Sequence, residues 1–555
     1  MRFNVVLTLL SSLVLVQSIF SQDPIWDWAE SNSGFSSEYA NAVCTDANGY
    51  VYVTGTFLGA STTIGDITLY NTGEGSLDIF IAKYDSSGEV IWAINEGGAA
   101  ADWAYGICTD LSGNVFITGY FQSPTFSIGT TEFSNNSTYS TCYDIYIAKY
   151  DSDGNFLWAK SPEGQGCEQA KSVATDSQGN VYMTGYYWNG AITFGDLTLI
   201  NQAGSFDGFI TKYDPDGNEV WAKRIGGPSI DLCEDVFVDG QDNILVTGSF
   251  ENAAQFGDNT IVSPNESTYQ EIFAAKFDSD GNNIWAHCAV VPFFGNYASG
   301  NGIASDSEGN VYITGYFQYS LAFGEDTLGT APGTRAIFLA KFDPDGTPLW
   351  GRTPGGTGND YGVDVCVDAD DHVFVAGYFS SSFLNFGDYP LINSNTGYNE
   401  IYIAAYNASG DALWANSMGG QDHDYGMNLA SGLNNDVYLA GYFGSYSLDF
   451  SANPVVNSGS HDFYLAKLTY DAALNASSLD EPNEVGVFPN PFYNTVNVQS
   501  DGPTVIEIFD VSSRKVFEQR FINTSAFDLR ELSSGVYVYK INRRGTVSTG
   551  KLIKE

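Results

Sequence analysis

Seven tryptophans, Trp28, Trp92, Trp158, Trp221, Trp285, Trp350 and Trp414, recur about every 64 residues. A period of that length makes the chain an array of one supersecondary unit. Two further series keep the same step. Gly55, Gly119, Gly185, Gly248, Gly315, Gly377 and Gly441 each close a strand such as Asn114-Val115-Phe116-Ile117-Thr118-Gly119. The third series runs from Asp78-Ile79-Phe80-Ile81-Ala82-Lys83-Tyr84 to Asp462-Phe463-Tyr464-Leu465-Ala466-Lys467-Leu468. Each copy thus offers four strands, in the second copy Tyr105 to Thr109, Val115 to Phe121, Ile145 to Tyr150 and Phe156 to Lys160. Asp110-Leu111-Ser112-Gly113-Asn114 joins the first two and Asp151-Ser152-Asp153-Gly154-Asn155 the last two, with the residues that tight hairpin turns favour. Between the second and third strands, an element such as Phe194-Gly195-Asp196 predicts an extra hairpin.

Four-stranded units repeated radially make a β-propeller, and 60 Gly with 35 Tyr and 37 Phe suit many short strands. The last copy has no tryptophan strand after Lys467, whereas Ile25-Trp26-Asp27-Trp28-Ala29 opens the array without a partner. The expected fold is therefore all-β: a seven-bladed β-propeller over 23–470, closed by the N-terminal strand and followed by a small C-terminal β-sandwich. An open solenoid would need capping repeats, and the sequence has none. Over residues 25–470 the pattern resembles the bacterial β-propeller repeats of SBBP type, a resemblance that implies fold rather than activity.

The formal charge is -44, which excludes nucleic acid and anionic membrane surfaces as partners by long-range repulsion. Met1-Arg2 and the apolar run from Val5 to Phe20 read as a secretory signal peptide, 1–22, cleaved on export, and no segment of the mature chain is expected to span a membrane. Residues 480–555 hold 10 acidic and 9 basic side chains, so the tail is a separate unit after a polar linker, 471–484. The tail, 485–555, runs through Val487-Phe488-Pro489-Asn490-Pro491, Gly535-Val536-Tyr537-Val538-Tyr539 and Lys551-Leu552-Ile553-Lys554. There it resembles the C-terminal sorting domain of the type IX secretion system. That resemblance implies the type IX machinery as a partner, passage across an outer membrane, and a secreted, extracellular or outer-membrane surface location.

In a propeller the two hairpin turns of each unit lie on one face and the long, variable loops on the other, where binding is usually placed. Ten residues beyond six of the tryptophans stand Glu38, Asp102, Glu168, Asp231, Asp360 and Asp424, and six residues beyond the same tryptophans stand glycines. Two readings are open. The carboxylates line a channel mouth and favour a cation such as Ca2+, or each accepts N–H groups of its own loop. Their neighbours Tyr39, Trp103, Tyr361 and Tyr425 offer a stacking surface, so these acids with Trp103, Tyr361 and Tyr425 are the candidate ligand-binding residues.

Turns such as Asp151-Ser152-Asp153-Gly154-Asn155 resemble the start of a calcium loop but lack its distal Glu, and read as turn chemistry. The run Ala148, Asp151, Gly154, Trp158 resembles the tryptophan-docking repeat of quinoprotein dehydrogenases, though one residue shorter and in seven copies, which speaks against a quinone cofactor. Arg224, Arg335 and Arg352 do not form a sialidase-like cluster by position, and His287, His372, His423 and His461 lack metal-ligand spacing. Cys44, Cys108 and Cys366 fall at equivalent places as small buried fillers. Cys142 and Cys167 approach the same end of adjacent strands in one blade, a possible disulfide. With no converging catalytic set, the chain is expected to be a non-catalytic protein- or glycan-binding module that requires no cofactor. The alternative is a polysaccharide lyase or glycoside hydrolase using channel-mouth carboxylates.

Overall fold

The computed structural model describes residues 25–470, except 74, 138–141, 202–203, 264–268, 290–296, 325, 394 and 451–452. In the tail it describes 487–488, 494–498, 503–510, 514–522, 525–533, 535–543 and 546–554. The segment 1–22 expected to be a signal peptide, the expected linker 471–484 and the Pro489-Asn490-Pro491 motif lie outside these residues. Among the described residues, apart from a 3-10 turn at Leu433–Asn435, the regular structure is all β-strand. Among the described residues no helix is long and apolar enough to cross a membrane.

Residues 21–470 form one compact unit, in which a four-strand antiparallel meander recurs seven times. In the second copy the strands are Asp102–Thr109, Val115–Phe121, Asp144–Tyr150 and Phe156–Lys160. The first strand begins three residues before the expected Tyr105, because Tyr105 is bulged out and pairing resumes from Ala104 back to Asp102. Every first strand repeats the bulge, at Asn41, Lys171, Glu234, Asn301, Val363 and Met427 in the other copies. The expected hairpin between the second and third strands is present, as Ala191–Phe194 paired with Leu197–Ile200.

Second and third strands such as Val115–Phe121 and Asp144–Tyr150 are buried along their whole length. The cause is coverage on both faces by neighbouring sheets. Tyr52, Ile79 and Ile81 of the first copy share a core with Ile107, Val115 and Tyr146 of the second. In the same way Val53 and Phe80 of the first copy share one with Tyr438, Ala440 and Phe463 of the seventh, with Phe80 and Phe463 stacked 4.9 Å apart. Each first strand contacts the next, and Asp424–Ser431 contacts Glu38–Thr45. Ile25–Ser31 pairs antiparallel with Asp462–Thr469, with Trp28 opposite Lys467.

The periodic tryptophans lock consecutive copies. The indole N–H of Trp92 donates to the Ser152 carbonyl at 3.2 Å and that of Trp158 to the Pro215 carbonyl at 3.2 Å, each in the last turn of the following copy. The glycine of that turn has a positive φ, and a Cβ on Gly217 would stand 2.8 Å from the Trp158 ring. Glycine is required twice over, for the backbone and for the close approach. Lys83 and Lys149 of the third strands donate to the same two carbonyls. The sixth copy breaks the pattern: Ala405 replaces the lysine, and Trp414, fully buried, packs 6.0 Å from Tyr470 with no indole N–H partner among the described residues.

The Asp151 carboxylate accepts the N–H groups of Asp153 and Asn155 and the Asn155 amide, which accounts for it as turn chemistry. In the tail, Val487–Phe488, Thr495–Val498 and Ser525–Asp528 form one sheet, and Pro503–Asp510, Lys515–Ile522, Gly535–Arg543 and Thr546–Lys554 another. Val496, Ile506, Phe527, Tyr537 and Leu552 fill the core they share.

Candidate functional site

The six periodic acids begin the first strands, except Glu168, which follows Cys167. All six are buried, none more than 2% exposed, so they do not present an open ligand surface. Asp102 accepts the Ser123 hydroxyl at 2.7 Å, Asp360 that of Ser381 at 2.6 Å and Asp424 that of Ser445 at 2.7 Å. Asp231 accepts the Gly227 N–H at 2.6 Å and Glu168 the Gly166 N–H at 3.1 Å. Asp231, Glu168 and Asp424, the last through the Gly420 N–H at 3.0 Å, accept N–H groups of their own loops, whereas Asp102 and Asp360 bond serines of the loop after the second strand.

Four of the acids, Glu38, Asp102, Glu168 and Asp231, also meet an acid near the start of the third strand of the preceding copy, whereas Asp360 faces a copy with Ala336 at that position. Glu38 donates its N–H to the His461 carbonyl and Glu168 to that of Tyr143, which sets Asp462 and Asp144 beside them. Burial, reinforced by Asp462, pushes the Glu38 carboxyl up to about 8, and burial reinforced by Asp144 pushes Glu168 up to about 8. Burial raises Asp231 to about 8 and Asp102 to about 7, with Asp207 and Asp78 adding to the effect. Asp360 and Asp424 rise by burial only to about 6, because serine donors hold them down. The Glu38 and Asp462 carboxyls are within bonding reach of each other, as are those of Glu168 and Asp144, whereas Asp207 Oδ1 has no hydrogen-bond partner among the described residues. In one pair the protein supplies its own cation: Arg224 Nε lies 2.6 Å from Asp207.

The residues that follow the acids behave differently. Tyr39, Trp103, Tyr361 and Tyr425 are half-buried, and each lies across the sheet from the residue after the glycine of the second strand. Trp103 faces Tyr120, Tyr361 faces Tyr378 and Tyr425 faces Tyr442. Their rings make one continuous crescent: Tyr120 to Trp103 at 6.3 Å, Trp103 to Tyr39 at 6.1 Å, then Tyr442, Tyr425, Tyr378, Tyr361 and Tyr316 at steps of 4.7 to 5.1 Å. In the fourth copy the positions are Leu232 and Ser249, and the aromatic run stops.

Charged side chains close both ends. The Lys171 ammonium sits 5.0 Å over Tyr105 and 5.5 Å over Tyr186 and pairs with Glu234 at 3.3 Å. The Arg335 guanidinium sits 5.1 Å over Tyr316 and 5.5 Å over Tyr361 and donates to the Tyr361 hydroxyl. Arg352 is held apart by Asp326 and Arg224 by Asp207. The second-strand tyrosines and third-strand acids escape a search built on tryptophan spacing, although Gly-Tyr within the second strand and an acid leading the third recur in most copies.

Cys142 and Cys167 are joined by a disulfide. It does not lie within one blade-like unit, as the spacing suggests, but links the second copy to the third, because Cys167 already opens the third copy's first strand. Cys366 is buried, and Cys44 and Cys108 are half-buried free thiols.

The molecule is thus an all-β repeat protein whose tail is a sorting signal: residues 486–555 match the secretion system C-terminal sorting domain. A type IX tail of this kind marks a secreted protein with an extracellular or cell-surface location. The array is similar to an uncharacterized WD repeat-containing protein of Acanthamoeba polyphaga mimivirus, 23% identical over 79% of this chain and 38% of that protein. It is also similar to the regulatory protein FlaEY of Caulobacter vibrioides, 25% identical over 40% of this chain and 23% of that one. The chain therefore spans well under half of either relative. Two solved structures align at 10% identity across 95% of this chain. One is the extracellular domain of a hybrid two component system from B. thetaiotaomicron, covered over 100% of its length with a TM-score of 0.13. The other is a glycoside hydrolase family 32 protein from Bifidobacterium adolescentis, covered over 95% with a TM-score of 0.26. Scores that low carry no argument.

Proposed function

We propose that residues 23–470 are a seven-bladed β-propeller closed by the N-terminal strand, and that it acts outside the cell as a non-catalytic interaction module. Pairing of Ile25–Ser31 with Asp462–Thr469, and the core shared by the first and seventh copies, support closure. Similarity to a WD repeat-containing protein fits an interaction role. In this reading the signal peptide 1–22 is removed and the tail, 485–555, engages the type IX machinery.

The observation that carries the reading is the aromatic crescent. It places Trp103, Tyr361 and Tyr425 with Tyr39, Tyr378 and Tyr442 in one half-exposed belt, and flat rings fixed by strands bind at low entropic cost. The lyase or glycosidase alternative needs accessible carboxylates, whereas Asp102, Asp231 and Asp360 are buried among loop donors. No cofactor is required in this reading. Among the described residues no group of three or more His, Cys, Asp or Glu side chains is placed to hold a metal ion. The test is binding of the purified full chain to immobilised extracellular proteins and polysaccharides, with Trp103→Leu and Tyr425→Leu beside it. Both variants should bind about tenfold more weakly, the loss expected for an aromatic contact at a binding centre. Unchanged binding by both would remove the crescent from consideration.

A further inference from the structure

Resting on that reading of the crescent, we infer that its ligand is cationic: a polypeptide segment that presents lysine or arginine side chains to the rings. The crescent already shows this preference within its own chain. Arg335 lies over the faces of Tyr316 and Tyr361 at one end, at 5.1 and 5.5 Å, and beyond the other end Lys171 lies 5.0 Å over Tyr105, which stacks on Trp103 at 5.9 Å. The middle of the run, Trp103, Tyr39, Tyr442, Tyr425 and Tyr378, has no such cation among the described residues, and its rings are half-exposed. A ring face is the negative end of the aromatic quadrupole, so the exposed part of this stretch offers a cation what Tyr316 and Tyr361 offer Arg335, beside the His461 and His423 imidazoles that pack on Tyr39 and Tyr425 at 5.9 and 6.1 Å.

The surroundings point the same way. Asp422 is exposed and its charge is felt by Tyr425 and by His461, while burial holds the His461 imidazole below its usual range. The field of a chain with formal charge -44 draws basic segments toward it and repels acidic ones. A neutral glycan would stack on the same rings but gain nothing from that field, which makes it the competing occupant.

The experiment titrates the full chain calorimetrically with octalysine, with fully Nε-acetylated octalysine and with the neutral oligosaccharide cellohexaose, at low and at high salt. Octalysine should bind, acetylation should weaken it about tenfold or more, and Tyr425→Leu and Tyr442→Leu should weaken it to a similar extent with the fold intact by circular dichroism. Tyr425→Phe should keep most of the binding. Octalysine bound equally by wild type and both Leu variants would reduce the effect to bulk charge and overturn the inference. Cellohexaose bound in a Tyr425-dependent way, without octalysine, would overturn it too while leaving the crescent as the binding site. Binding of none of the three would overturn it as well, and the broader reading would then rest on the protein and polysaccharide screen alone.

Discussion

At the residue scale, the buried acid pairs give the fold a defined response to pH. Glu38, Glu168 and Asp231 are pushed up to about 8 by burial and by their acidic neighbours, far above their unfolded values near 4. Between those values the native state binds more protons than the unfolded one, so this contribution is fully present only below about 4 and is lost progressively as pH climbs from there through about 8. The melting temperature should therefore fall from pH 5 to pH 9. Glu168→Gln removes one ionisation but retains an oxygen for the Gly166 N–H, so it should gain on the order of 1–2 kcal/mol at pH 9 and little at pH 5. Parallel calorimetric curves for the two proteins would refute the assignment. The glycine-rich approach to each acid has the same origin: a Cβ on Gly164 would meet Glu168 Oε1 at 2.3 Å, and one on Gly97 would meet Asp78 Oδ1 at 2.4 Å.

At the element scale, strand identity was legible because three periodic series marked the second, third and fourth strands of each sheet, while strand starts were not. Nothing in the residue order announces a bulge at Tyr105 or Lys171, and without it the first strand ends short of Asp102 and Cys167. That shortfall also misassigned the disulfide, which bridges two copies instead of closing one. Cys167→Ser should cost about 2–4 kcal/mol under non-reducing conditions, and nothing further in reductant. Thermal unfolding in both buffers checks it. The crescent was half legible: the first-strand aromatics follow the acids by one residue, but their partners belong to another strand. Only cross-strand register joins Tyr361 to Tyr378 and Tyr425 to Tyr442.

At the scale of the whole molecule, the first strand completes the sheet of the last copy, and the junction has its own chemistry. There Ala405 stands where other copies carry lysine, and Tyr470 packs on Trp414 where they present a turn. Deleting residues 25–31 should leave Asp462–Thr469 as an open edge and turn a monomer into concentration-dependent oligomers, measurable by light scattering. A deletion variant that stayed monomeric and equally stable would show that the strand is dispensable. The register of that pairing has a mechanical meaning. Ile25 lies opposite Thr469 and Ser31 opposite Tyr464, so the two termini of the array leave from one end of a hairpin-like pair. Tension between them would peel the backbone bonds one after another instead of shearing them together, and the array would open at its junction under a small load while every other sheet stayed whole.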